Sequence, residues 1–87
     1  LMTPEDIKVG NHYIVTKNEN DYVIEQYVLL DNIYQHNGKT LYDYSYGFFR
    51  SHDGVCTFEN IRELTEEEQE LEKSDRFKLP RQFYDVP

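Results

Sequence analysis

The sequence predicts a mainly β domain, in which five strands are followed by a short acidic helix and a docked tail. Three local patterns indicate this architecture. Asn37-Gly38 separates two strand-like runs, and this dipeptide is the strongest short-range signal for a tight β-hairpin. Aromatic residues alternate from position 42 to position 48, which is the periodicity of a strand. Thr65 and Glu68 have the spacing of a helix-capping box.

The size and composition favour a single unit. Eighty-seven residues, 38% of them hydrophobic, suffice for one small core, so we expect one domain over residues 1–87. Within it we expect a body of strands at 7–64, an acidic helix at 65–76 and a tail at 77–87. One cysteine forms no internal disulfide, which favours a reducing compartment and a cytoplasmic location. We expect neither a signal sequence nor a membrane span.

The N-terminal third predicts a helical turn and two strands. Thr3 is a suitable cap for a single turn that begins at Pro4. An alternating apolar segment predicts the first strand at 12–17, and a polar loop follows it. Residues 22–34 are rich in Tyr, Val, Ile and Leu, which predicts a long second strand. Glu25-Gln26 interrupts the alternation, so we expect a bulge or a break there.

The middle of the chain predicts two more strands and two turns. The hairpin leads into a third strand at 40–49. Residues 51–54 end in glycine and predict a turn, after which 55–58 form a short strand. We expect a short 3₁₀ or helical turn at 60–64, whose isoleucine and leucine reach the core.

The C-terminal third predicts a helix that buries little surface. It should run from about 66 to 75, with acids in its first turn and bases in its last, as the helix dipole prefers. Leu71 is its only strongly apolar residue. The tail at 77–87 is apolar enough to dock on the body, and its prolines exclude a long helix.

Three segments resemble the small β-barrels called Src-homology-3-like: the opening strand at 9–15, the central hairpin at 28–38 and the short turn at 58–64. The resemblance covers residues 7–64 at the level of fold and implies a five-stranded barrel. Peptide-binding members carry a tryptophan in the ligand groove, and this chain has none, so the resemblance does not extend to proline-rich ligands. The small acidic chain is also similar to proteins that bacteriophages use against host enzymes.

Catalytic and metal-binding patterns are incomplete. Ser51, His52 and Asp53 are the residue types of a hydrolytic triad, but consecutive side chains point apart. His52 and Cys56 are too few for a zinc site, and the acidic loop at 18–21 lacks the spacing of a calcium loop. We therefore expect no enzyme, no catalytic residue, no metal and no cofactor.

The alternating aromatic stripe has three interpretations. It forms part of the core, or a protein-binding surface, or a stacking platform for single-stranded nucleic acid. The third needs a positive groove, and the nearest bases are Lys39 and Arg50 alone. The stripe consists of Tyr42, Tyr44, Tyr46 and Phe48.

The charge is concentrated near the C-terminus. The formal charge is −8, and residues 59–75 hold eight acids against two bases. Such a charge repels nucleic-acid backbones and anionic membranes. The acidic helix is either a solvated face or an imitation of a phosphate row that occupies the basic groove of a DNA- or RNA-handling protein.

These patterns predict a non-enzymatic intracellular interaction module, an acidic inhibitor or regulator of a basic nucleic-acid-handling protein. We expect a monomer or a small homo-oligomer. One alternative is an accessory domain of a larger assembly or a homo-oligomer that uses the tyrosines or the tail. A less favoured one is a barrel that binds a small ligand or nucleic acid. The predicted partner-binding residues are Glu63, Glu66, Glu67, Glu70, Asp75, Tyr42, Tyr44 and Tyr46.

Overall fold

The computed structural model describes residues 1–19, 22–74 and 82–85, and it has the predicted mainly β fold with one short α-helix. The strands are β1 His12–Glu19, β2 Tyr22–His36, β3 Lys39–Tyr46, β4 His52–Cys56, β5 Ile61–Arg62 and β6 Gln82–Asp85. The helix α1 is Glu66–Glu72, and single 3₁₀ turns are Pro4–Asp6, Phe48–Arg50 and Phe58–Asn60. No helix in the described ranges is long and apolar enough to cross a membrane.

The strands form an antiparallel sheet around β2. The order is β4-β3-β2-β1-β5, with β4 and β5 at opposite ends of the sheet. One edge of β2 pairs with β1, while the other edge pairs with β3 over Leu29–His36 and with β6 over Val23–Gln26. This open sheet is compatible with a small β-barrel-like fold. Part of the predicted docked tail is therefore strand β6, and the rest of the tail lies outside the described residues.

The bulge in β2 is not where the alternation indicated. The register shifts between Leu30 and Asn32, while Glu25 and Gln26 continue the pairing with β1. The prediction of a bulge or break at these two positions was wrong, because both residues keep regular pairing with β1 and with β6. Glu25 accepts hydrogen bonds from Arg62, and Gln26 is buried.

The hairpin between β2 and β3 is confirmed. Asn37 has φ 51° and Gly38 has φ 78°, and both central positions of this tight turn require positive φ. Strand β3 ends at Tyr46 rather than at 49, because Gly47 with φ 89° redirects the chain into the 3₁₀ turn at 48–50.

The predicted turn at 51–54 was wrong. His52, Asp53 and Gly54 all lie in β4, paired with β3. Gly54 lies opposite Tyr44 in the ladder, and a Cβ on this glycine would lie 2.5 Å from the phenol oxygen. Position 54 therefore requires glycine because the Tyr44 ring occupies the space that a side chain would need, not because the chain turns there.

Two apolar clusters lie on opposite faces of β1 and β2, because neighbouring strand residues point to opposite faces. The larger cluster contains Ile7, Tyr13, Val15, Val28, Leu30, Tyr42, Tyr44 and Ile61. In the smaller one, Leu71 of α1 packs against Ile14, Tyr27 and Leu64. The helix therefore covers the outer face of β1 and β2, and the expected burial of Ile61 and Leu64 is confirmed.

Candidate functional site

The acidic surface lies at the start of α1. We define it as Glu63, Glu66, Glu67 and Glu70, whose side chains are all exposed. The predicted capping box at the head of the helix is confirmed: the Glu68 amide donates to the Thr65 hydroxyl over 3.1 Å, and the Thr65 amide donates to the Glu68 carboxylate over 2.8 Å. The first helical turn, which carries Glu66 and Glu67 of the acidic surface, is therefore fixed at its N-terminus.

Arg62 connects this end of the helix to the sheet. Its guanidinium donates to Glu25 over 2.8 and 3.0 Å and to Glu68 over 2.8 and 3.0 Å. The bonds to Arg62 hold the pKa of the Glu68 carboxyl below its usual range, against the opposing effect of burial. Glu68 thus has a structural role: it anchors α1 to the sheet through Arg62, and the arginine compensates its charge within the molecule.

Glu72 connects the other end of the helix to the sheet. Its carboxylate accepts a hydrogen bond from the Tyr27 phenol over 2.8 Å. Burial, and then the contact with Glu72, raise the pKa of that phenol. His12 stacks on Tyr27, with 4.8 Å between ring centroids, and burial lowers the pKa of the imidazole. The lowered pKa favours the neutral imidazole at neutral pH, and the 3.8 Å approach of His12 Nδ1 to Glu72 is an ion pair only when His12 is protonated.

The remaining carboxylates of this segment face solvent. Glu70 approaches Lys73 at 3.2 Å, but both side chains are more than 70% exposed, so the pair contributes little. Glu63, Glu66 and Glu67 have no side-chain ion pair among the residues described. These three carboxylates are the part of the acidic surface that is available to a partner. Asp75, also predicted to bind, lies outside the described part of the chain.

The structure corrects the predicted role of the tyrosines. Tyr42 is 2% exposed and Tyr44 is fully buried, because their side of β3 faces the larger apolar cluster. A partner cannot reach either ring without opening the sheet, so we exclude both from the candidate surface. Tyr46 is half-buried and lies against the His52 ring, with 5.5 Å between centroids.

The structure also exposes a feature that the sequence pattern did not indicate. We call Phe48, Phe49 and Arg50 the aromatic tip. The two phenylalanines are 60% and 90% exposed and meet edge to face, with 4.7 Å between ring centroids. Phe48 belonged to the predicted stripe, but Gly47 ends the strand before it. A glycine directly before three bulky residues was the available signal for this loop.

A wide groove lies between the N-terminal segment and α1. It has a volume of about 580 Å³ and carries Asp6, His12, Glu63 and Glu72 among its lining residues. Across the described residues, no group of three or more His, Cys, Asp or Glu side chains could hold a metal ion. The groove is continuous with the acidic surface through Glu63.

A scan against protein-family models found no match, and neither did searches of curated proteins and of solved structures. The fold and surface therefore define only a general class, a small mainly β domain with an acidic helix on its sheet. A more specific function has to be argued from the geometry of that surface.

Proposed function

We propose that the protein is a non-enzymatic interaction module that binds a basic protein through its acidic surface. The observation that carries this proposal is the set of exposed carboxylates on Glu63, Glu66 and Glu67, which lack ion pairs in the described structure. They sit beside and on a helix that Arg62 and Tyr27 attach to the sheet at its two ends. Fixed carboxylates form strong charge-assisted hydrogen bonds with arginine and lysine.

The rigidity of the support favours binding. Side chains on an anchored helix lose less freedom on association than side chains on a loop. The carboxylates of Glu66 and Glu70 are a like-charge pair at i and i+4, which costs the isolated helix some stability. A negative field over this region speeds the encounter with a positive partner.

The partner proposed is a nucleic-acid-handling protein, whose basic groove would receive these carboxylates in place of phosphates. The protein would then inhibit or regulate that partner in the cytoplasm, a role proposed from the small size and acidic charge that it shares with bacteriophage proteins directed against host enzymes. For the scaffold we propose a Src-homology-3-like barrel. The strand order and the 3₁₀ turn at 58–60 before β5 support this assignment.

The test is affinity capture of partners from a lysate of the source cell, with a neutralised variant beside the wild type. Glu66→Gln/Glu67→Gln removes two charges from the acidic surface. Asp31→Asn/Asp53→Asn removes two exposed charges elsewhere on the sheet and is the matched control. We expect salt and duplex DNA each to release the captured protein. Salt screens the attraction between the carboxylates and the basic side chains of the partner, and DNA phosphates compete for those same side chains.

The affinity for the captured partner should then be measured for all three proteins. The surface variant should bind about tenfold more weakly or worse, whereas the control should bind within about twofold of the wild type. Equal losses of affinity in the two variants would show that binding depends on the net charge of the protein and not on the acidic surface. Binding that ignores salt, or that persists in the presence of DNA, would contradict the imitation of nucleic acid.

A further inference from the structure

The aromatic tip is held in an unfavourable conformation. Phe49 has φ 56° and Arg50 has φ 52°, a region that side chains other than Gly, Asn and Asp rarely adopt. Two backbone hydrogen bonds keep the turn closed: Arg50 donates to the Gly47 carbonyl over 2.9 Å, and Ser51 donates to the Phe48 carbonyl over 3.2 Å. The strain presents two phenylalanine rings to solvent. Strained residues combined with exposed apolar side chains indicate a binding function.

One depression on the same chain has a lining that suits such a tip. A depression of about 390 Å³ lies between the N-terminus and the segment that leads into β5. Leu1, Met2, Phe58 and Ile61 supply apolar surface to it, and the exposed acids Glu59 and Glu63 stand at its side. Arg62 also lines the depression, but its guanidinium is paired with Glu25 and Glu68. It therefore offers an apolar floor for a phenylalanine ring and carboxylates for a cation.

The tip has the complementary chemistry. It carries two aromatic rings and a guanidinium, and Arg50 forms no ion pair within the described structure. Phe49 is 90% exposed, so the tip is not seated in the depression of its own chain. The two surfaces match in both apolar character and charge, and within the described part of the chain the tip does not occupy the depression.

We propose that the aromatic tip of one copy inserts into this depression on a second copy, with the Phe49 ring on the apolar floor and Arg50 beside Glu59 and Glu63. The burial of Tyr42 and Tyr44 removes the tyrosine surface that the sequence offered for self-association, and the aromatic tip takes that role. Because the two contacting surfaces differ, two copies join through a reciprocal pair of contacts or assemble further.

Salt separates this contact from the binding of a basic partner. Two copies with a charge of −8 each repel one another, and salt screens that repulsion. Salt also screens the attraction of Arg50 to Glu59 and Glu63 but leaves the apolar contact of Phe49 intact, so self-association should change little with salt, whereas binding of a basic partner weakens. Glu63 belongs to both surfaces, so the two events compete. Either can occur without the other, and the failure of one leaves the other intact.

The experiment is sedimentation velocity of the full chain from micromolar to millimolar concentration. The wild type should exceed the monomer mass as concentration rises. Phe49→Ser should weaken association by about tenfold or more, because an aromatic anchor is lost. Val9→Ser replaces another apolar side chain that is 54% exposed and does not line the depression, and it should associate like the wild type. Circular dichroism checks that each variant is folded.

A charge exchange tests the pairing of surfaces. Arg50→Glu alone and Glu59→Arg/Glu63→Arg alone should each be monomeric, because the tip and the depression then carry like charges. Mixed in equal amounts, these two variants should associate, since each tip meets a depression of opposite charge. A wild type that stays monomeric throughout, a Phe49→Ser variant that associates normally, or a mixture that does not associate would each overturn the proposal.

Discussion

The phenol of Tyr27 in β2 donates a hydrogen bond of 2.8 Å to the carboxylate of Glu72 in α1, which ties the end of the helix to the sheet. Arg62 does the same at the start of the helix through Glu68. A helix of seven residues is too short to be stable alone. Its position therefore depends on these contacts and on Leu71, and so does the orientation of the acidic surface.

Replacing Arg62 should destabilise the protein. The variant Arg62→Met leaves Glu25 and Glu68 close together without their shared cation. Because the arginine side chain is 36% exposed, solvent screens part of the loss, and we expect a decrease of about 1 to 2 kcal/mol in the free energy of unfolding. Urea denaturation followed by circular dichroism measures it.

The matched control is Lys73→Met, which breaks the exposed pair with Glu70. It should change the free energy of unfolding by less than about 0.5 kcal/mol. Equal effects of the two substitutions would mean that the bridge from Arg62 to the sheet and the helix contributes no more than a surface pair.

Gly54→Ala should disturb the core. The new Cβ would lie 2.5 Å from the hydroxyl oxygen of Tyr44 and 2.6 Å from its Cζ, and that side chain is fully buried and cannot move aside. We expect a loss of about 1 to 3 kcal/mol in unfolding free energy. The neighbouring Val55→Ala, at a position 51% exposed, should cost about 1 kcal/mol or less. Similar losses of unfolding free energy in both variants would show that the Tyr44 ring can move aside.

The features that the sequence predicted correctly depend on neighbouring residues. Asn37-Gly38 specifies its turn through the backbone conformation of two residues. The capping box of Thr65 and Glu68 spans four positions. Such signals act within a few residues and need no knowledge of the rest of the chain.

The features that it did not predict depend on residues far apart in the chain. Glu25 looked like a break in a strand because its partner, Arg62, follows 37 residues later. Gly54 looked like a turn residue because Tyr44, which excludes a side chain there, lies on another strand. The tyrosine stripe alternated as expected, but the composition did not decide between burial and exposure. The polar side chains at Asp43 and Ser45 on the opposite face were the available argument for burial.

Cys56 should react slowly in the folded protein. Burial raises the pKa of its thiol from 9.0 to about 11, which reduces the thiolate at pH 8 by about 100-fold, and the thiolate is the reactive form. Alkylation by iodoacetamide, followed by mass spectrometry, should therefore be about 100-fold slower than in protein unfolded by urea. Equal rates in the two states would show that the thiol is neither shielded nor shifted.

His12 should make the fold less stable in mild acid. Burial lowers the pKa of His12 from its ordinary value of 6.5, Glu72 partly offsets this effect, and Arg50 adds to it. The unfolded chain then binds a proton more readily than the folded one, so the contribution of His12 to stability is complete above pH 6.5 and is lost as the pH falls through that value toward the folded pKa.

The variant His12→Phe tests this directly, because it keeps an aromatic ring on Tyr27 and removes the titrating group. Urea unfolding should be measured in steps from about pH 7.5 to 5.5, a window that contains the ordinary histidine pKa. Glu68 does not interfere there, since its ordinary carboxyl pKa of 4.5 and its lowered pKa in the folded protein both lie below this window. We expect a smaller decline of unfolding free energy in the variant than in the wild type. Parallel declines would show that His12 binds its proton equally well in the folded and unfolded chains.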